Sequence, residues 1–99
     1  MLNDIKVQIE TNIVLVKYED DFIPRTFSGK QYSYYTNIKL NEGDIVIAPT
    51  KYGTSIARVS RINVPEEEIE DIKPYMKTIT TRIDKNRFLK FAEIQEEAA

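Results

Sequence analysis

The chain has 99 residues, of which 41% are hydrophobic and 30% charged, and its formal net charge is −2. A chain of this length forms one domain, here taken as residues 1–99, and these proportions are typical of a folded globular protein. The absence of Cys and His excludes thiol nucleophiles, His-based catalytic triads and the usual zinc sites, so we expect a protein that is not an enzyme and has no cofactor or metal.

No stretch of 18 apolar residues occurs in the sequence, and its first ten residues lack the basic and apolar regions of a signal peptide. We therefore expect no contact with a membrane and a cytoplasmic location, which is the host cytoplasm if the protein is encoded by a phage.

Alternating residues predict a first strand at Ile5–Ile9, and a run that is apolar on both faces predicts a central second strand at Ile13–Tyr18. A loop follows over residues 22–30, and its large apolar residues are expected to tuck inward: Phe22, Ile23 and Phe27. A third strand is predicted at Gln31–Ile38, with Tyr32, Tyr34, Thr36 and Ile38 on one face and Ser33, Tyr35 and Asn37 on the other.

Residues 40–64 read as the hairpin around which the fold is built. Turn-forming residues over 41–44 precede a buried strand at Ile45–Ala48, which Pro49 is expected to end because it has no N–H to donate. The return strand, Ser55–Val64, changes its alternation partway along, and a β-bulge near Ser60 and Arg61 would restore it. The sequence thus predicts a bent hairpin of the kind that small barrels need.

The remaining segments predict two short helices and a strand. Pro65 and the acidic residues after it favour a short helix to Ile72, and Pro74 is expected to stop it. Thr and Ile residues predict a strand over 77–83, and Asp84 is placed to cap a helix over about 84–95. These elements predict a mainly β fold, either a small SH3-like antiparallel barrel or an OB-like one, with one or two short helices towards the C-terminus.

Residues 30–62 carry a pattern of aromatic, Gly-Asp and Pro positions: Tyr32, Tyr34, Leu40, Gly43, Asp44, Val46, Pro49, Gly53, Ala57 and Val59. This pattern resembles the amino-terminal, 3′-end-binding barrel of the replication-restart helicase PriA, and more closely a group of small phage proteins from Gram-positive bacteria. The resemblance covers about a third of the chain, which has no Walker A sequence. It implies the barrel more strongly than it implies DNA binding.

Basic residues are concentrated in the middle of the chain. Residues 22–64 hold six basic and two acidic residues, a net charge of +4, whereas each flank carries −3. Basic groups beside tyrosine rings can follow a phosphate backbone and stack on bases, and the candidate nucleic-acid-binding residues are Lys30, Tyr35, Lys39, Lys51, Tyr52 and Arg58.

Two functions follow from these observations. The first is an accessory module of phage type that binds single-stranded nucleic acid in DNA replication or repair. The alternative is a module that docks on or inhibits a host or phage protein without binding nucleic acid. The acidic flanks favour the alternative, whereas the central basic surplus and the resemblance favour nucleic acid.

Overall fold

The computed structural model describes residues 10–86 and residue 88. Within them lie six strands: β1 (Ile13–Tyr18), β2 (Gln31–Thr36), β3 (Ile45–Thr50), β4 (Gly53–Arg61), β5 (Thr78–Ile79) and β6 (Thr81–Ile83). The strand predicted at Ile5–Ile9 lies outside the described residues. The mainly β class is confirmed.

The six strands form one mixed sheet in the order β5-β2-β1-β4-β3-β6. β5 runs parallel to β2 at one edge, and β6 runs antiparallel to β3 at the other. Only Thr80 separates β5 from β6, so the chain connects the two edges, but among the described residues no hydrogen-bonded ladder closes the sheet. The predicted antiparallel barrel, whether SH3-like or OB-like, is therefore wrong in its closure and in the direction of one strand.

β1 is central, as predicted, because it pairs with β2 on one side and with β4 on the other. Its even-numbered side chains enter the main apolar core, whose buried members are Val14, Val16, Tyr34, Leu40, Val46, Ala48, Ala57, Val59 and Ile79. Alternation along each strand places these residues on one face of the curled sheet, which we call the inner face.

The predicted bulge is present in β4. Leu15 pairs with Arg61 while Val16 pairs with Val59, so Ser60 is an extra residue on β4. The hydroxyl of Ser60 donates to the carbonyl oxygen of Leu15 over 3.2 Å. The bulge keeps Val59 and Ile62 in the main core although three positions separate them.

Pro49 does not end its strand. β3 continues to Thr50 and pairs Pro49 with Thr54, so the turn contains only residues 51 and 52. β6 pairs with β3 no further than Ile47, and the missing N–H of Pro49 therefore costs no ladder bond on that edge. Gly53 closes the turn with a φ of +135°, a conformation that favours Gly.

The segment after β4 forms two short 3₁₀ helices, Glu66–Ile69 and Lys73–Tyr75, instead of the predicted α-helix. Pro65 and Pro74 leave too few residues between them for a stable α-helix, and i→i+3 bonds join Glu68 N to Pro65 O and Ile72 N to Ile69 O. This segment buries Ile69 against Ile13 and Val64, which form a second apolar cluster with Leu15, Tyr35 and Met76.

The helix predicted over about 84–95 begins as expected. The Asp84 carboxylate accepts a hydrogen bond from the backbone N–H of Asn86, and Phe88 N donates to the Asp84 carbonyl. The rest of that segment lies outside the described residues. In the 22–30 loop, by contrast, Phe22 is 94% and Ile23 58% exposed, so their predicted inward packing is wrong. Of the three apolar residues predicted to turn inward, Phe27 alone is half-buried.

The hydroxyl of Tyr34 is a polar group at the end of the inner core. It donates to the carbonyl oxygen of Pro49 over 2.7 Å and shares a hydrogen bond with the Tyr18 hydroxyl. Burial first, and the hydrogen bond and charge of Tyr18 after it, raise the pKa of Tyr34 well above its ordinary value of 10.0. The neutral phenol is therefore the form that the fold requires.

We expect this tyrosine to make stability fall at alkaline pH. Below pH 10 the contribution of the Tyr34 hydroxyl to stability is fully present. Above pH 10 the unfolded chain releases the phenolic proton while the folded chain keeps it, so the free energy of unfolding drops as pH rises. Tyr34→Phe should flatten that drop and cost about 1–3 kcal/mol near neutral pH, because the Pro49 carbonyl loses its donor. Urea unfolding measured from pH 7 to about pH 11 tests this, with the exposed Tyr52→Phe as control. Equal alkaline slopes in wild type and Tyr34→Phe would contradict it.

Candidate nucleic-acid interface

The outer face of the sheet, opposite the main core, has two halves of different character. The half around Ile13, Leu15 and Tyr35 is apolar and is covered by the second cluster. The other half carries Lys17 of β1 and Arg58 of β4, which no residue of that cluster covers. Among the described residues, the second cluster thus leaves a charged region of the outer face uncovered.

Lys17 and Arg58 are directly opposite each other on neighbouring antiparallel strands. Side chains in such positions lie close together, and like charges there destabilise the pair. Within the described residues, neither cation lies in salt-bridge distance of a carboxylate. An anion bound between them would relieve that repulsion.

A third cation approaches from the C-terminal turn. The Lys85 ammonium lies 3.7 Å, and the terminal nitrogen of Arg58 4.0 Å, from the point where a side chain on Gly43 would begin. Gly43 has a φ of +93°, so the turn needs Gly for its backbone. Lys85, like the other two cations, has no carboxylate partner in the described part of the chain.

Arg61 shows what an ordinary outer-face cation does in this protein. It projects from β4 beyond the bulge, and its guanidinium makes two hydrogen bonds, of 2.9 and 3.0 Å, to the carboxylate of Glu68. Arg82 is likewise 3.8 Å from Asp44. The three cations near Gly43 differ from both because no residue that the structure describes neutralises them in this way.

These cations border a groove of about 380 Å³, which we call the basic groove. Its lining residues are Lys17, Phe27, Glu42, Gly43, Arg58, Val59 and Ser60, and Lys85 reaches its edge. The ring of Phe27 contacts that of Phe88, at a centroid distance of 6.4 Å and a tilt of 52°. Among the described residues, the groove therefore combines two cations that form no salt bridge, one carboxylate and the aromatic ring of Phe27.

The structure distributes the six predicted site residues over five places. Arg58 lies in the basic groove. Lys39 borders a cleft between β1 and the 36–41 turn, and Lys30 borders a third cleft that it shares with Glu19, Asp20 and Asp21. The predicted residues therefore do not form one continuous basic patch.

The two predicted tyrosines have different surroundings. Tyr35 is half-buried and packs against the second apolar cluster, so packing already uses its ring. Tyr52 is 91% exposed at the tip of the β3–β4 turn, with the ammonium of Lys51 5.7 Å from its ring centre. Of the predicted pairs of neighbours, only Lys51 and Tyr52 lie together.

Sequence reasoning missed Lys17, Phe27 and Lys85. Lys17 lies near the end of an apolar strand and close to three acids in the sequence. Nothing in the sequence therefore suggested that its charge has no partner among the described residues. Its position opposite Arg58 depends on the strand pairing, which the bulge at Ser60 sets. A signal was available in the basic run over 73–90, which contains Lys85.

Two other kinds of feature, a metal site and a membrane-spanning helix, are absent from the described residues. These residues contain no group of three or more carboxylates placed to hold a metal ion. Among them, no helix is both long and apolar enough to cross a membrane. No protein-family model, no curated protein and no solved structure matches this chain.

Proposed function

We propose that this protein is a small accessory module that binds single-stranded nucleic acid through the basic groove. The observation that carries the proposal is the cross-strand pair of Lys17 and Arg58, joined by Lys85, with no carboxylate partner among the described residues. Repulsion between these cations disfavours the empty groove, and a phosphate group removes it. The overall charge of −2 restricts the attraction to this region of the surface.

Phe27 gives the groove a second property that suits nucleic acid. A base next to the bound phosphate can stack on its ring, and stacking on an aromatic residue contributes about 1–3 kcal/mol per base. Every base has such a face, so this contact favours single strands of any sequence. The resemblance of residues 30–62 to a DNA-binding barrel, a sequence observation, points to the same class of ligand.

The proposal is tested by the salt dependence of binding to a fluorescent oligothymidine. Each phosphate contact contributes a slope of about −0.7 in a plot of log affinity against log salt, so three contacts predict roughly −2. Arg58→Gln and Lys17→Gln should each weaken binding and reduce the slope by about 0.7. Fluorescence anisotropy at several salt concentrations measures both quantities.

Lys39→Gln is the matched control, because it removes the same charge from a different cleft. It should leave the slope unchanged. An equal effect of Lys39→Gln and Arg58→Gln would show that binding depends on overall charge and not on the groove. No binding at low salt by the folded protein would overturn the proposal.

A second function, docking on a partner protein, is favoured by a different surface. The 19–30 loop, the start of β2 and the β3–β4 turn lie at one end of the sheet, and three of their side chains are far from buried: Phe22, Ile23 and Tyr52. Hydrogen bonds from Asp20 N to Thr26 O and from Arg25 N to Glu19 hold the loop in this form. Protein docking becomes the leading function if the oligonucleotide experiment shows no binding.

A further inference from the structure

The basic groove holds more positive charge than an internal phosphate of a nucleic acid can neutralise. Lys17 and Arg58 bring two formal charges to the lining of the groove, and the ammonium of Lys85, near Gly43, brings a third to its edge. Among the described residues, Glu42 is the one carboxylate on the lining. An internal phosphodiester carries a single negative charge, whereas a phosphate monoester carries about −1.5 to −2 at pH 7 and has three acceptor oxygens. The charge of the groove fits the monoester better.

The arrangement of the three cations supports the same ligand. Lys17 and Arg58 approach from the sheet, while Lys85 comes from the C-terminal turn and meets Arg58 over Gly43. The donors therefore come from two different sides, as a group with three terminal oxygens requires. Arg58 can bind two of those oxygens at once through its planar guanidinium.

The size of the groove sets a further limit. At about 380 Å³ it is at the lower end of the volumes found for small-molecule sites. Such a space suits one nucleotide at the end of a strand better than a continuous strand.

We infer that the basic groove recognises a phosphate monoester, namely the terminal phosphate of a nucleic-acid strand, with the adjacent base against Phe27. This inference rests on the proposed function, since it specifies which part of the strand the groove takes. Lys85 is then a binding residue supplied by the C-terminal turn, whose position depends on the cap at Asp84.

The test compares three labelled oligothymidines of equal length that carry a 5′-phosphate, a 3′-phosphate or hydroxyls at both ends. We expect one of the phosphorylated strands to bind about tenfold more tightly than the hydroxyl strand at pH 7. That preference should shrink at about pH 5, where the monoester carries one charge fewer. Arg58→Gln and Lys85→Gln should abolish the preference, and Lys39→Gln should keep it.

Four outcomes decide whether the basic groove binds the terminal phosphate of a strand. A phosphate preference that Lys85→Gln removes supports the inference. Equal, salt-sensitive binding of all three strands overturns it and leaves the proposed function standing. No binding of any strand overturns both. The last measurement uses inorganic phosphate as a competitor at constant ionic strength. If it displaces the labelled strand as effectively as an unlabelled phosphorylated strand does, the ligand is the free ion and the assignment to a strand end is overturned.

Discussion

Val59→Asp is expected to leave the protein unfolded under conditions where the wild type is fully folded. Val59 is 1% exposed in the middle of β4 and pairs with Val16, which is itself fully buried. A carboxylate at this position loses its water among the apolar side chains of the main core, which costs several kcal/mol. Domains of this size are stable by roughly 5–15 kcal/mol, so one such change removes most or all of that margin.

The adjacent residue provides a control with the same new side chain. Arg58 is exposed on the outer face, so Arg58→Asp introduces the same charge one position away without burying it. Circular dichroism and urea unfolding should show Arg58→Asp folded and Val59→Asp unfolded. A Val59→Asp protein that unfolds at the wild-type urea concentration would mean that Val59 does not face the core.

The alternation of residues predicted the faces of the strands well, because it reports on burial directly. It placed Tyr34 and Tyr35 on opposite faces, which the structure assigns to the main core and the second cluster, and it located the bulge from the changed phase of Ala57 and Ile62. It did not predict which strands pair at the edges. The 78–83 segment looks like one strand, yet its two ends pair with different partners, β2 and β3.

The candidate site was harder to predict than the fold, for a physical reason. A binding groove joins residues that the fold brings together from distant parts of the chain, and composition cannot show which charges already have partners. Arg58 and Arg61 are alike in sequence, three positions apart, but Glu68 neutralises Arg61 alone. The prediction for the 22–30 loop was wrong for another reason. Phe22 and Ile23 were expected to be buried because they are apolar, but they lie at the tip of the loop and are exposed.

The bulge in β4 predicts a large difference in stability between two variants that each lack one residue of this strand. Without Ser60, the residues from Ala57 to Ile62 alternate regularly, with Ala57, Val59 and Ile62 inward and the two arginines outward. Deleting Ser60 should therefore keep every side chain on its present face and yield a folded protein. Its cost should be small, about 1 kcal/mol for the lost hydrogen bond to the Leu15 carbonyl and some further loss from reduced bending.

Deleting Arg58 instead removes one residue from the same strand and should unfold the protein. The shortened strand has two possible registers. If it keeps the bulge, Ala57 turns outward; if it loses the bulge, Val59 turns outward and Ser60 enters the core. No register buries both apolar residues, so the strand loses its pairing with β1, the centre of the sheet. Urea unfolding of the two deletion variants measures the difference. Equal stability of the two proteins would show that the extra residue on β4 is not Ser60, and the pairing of Lys17 with Arg58 would then lose its basis as well.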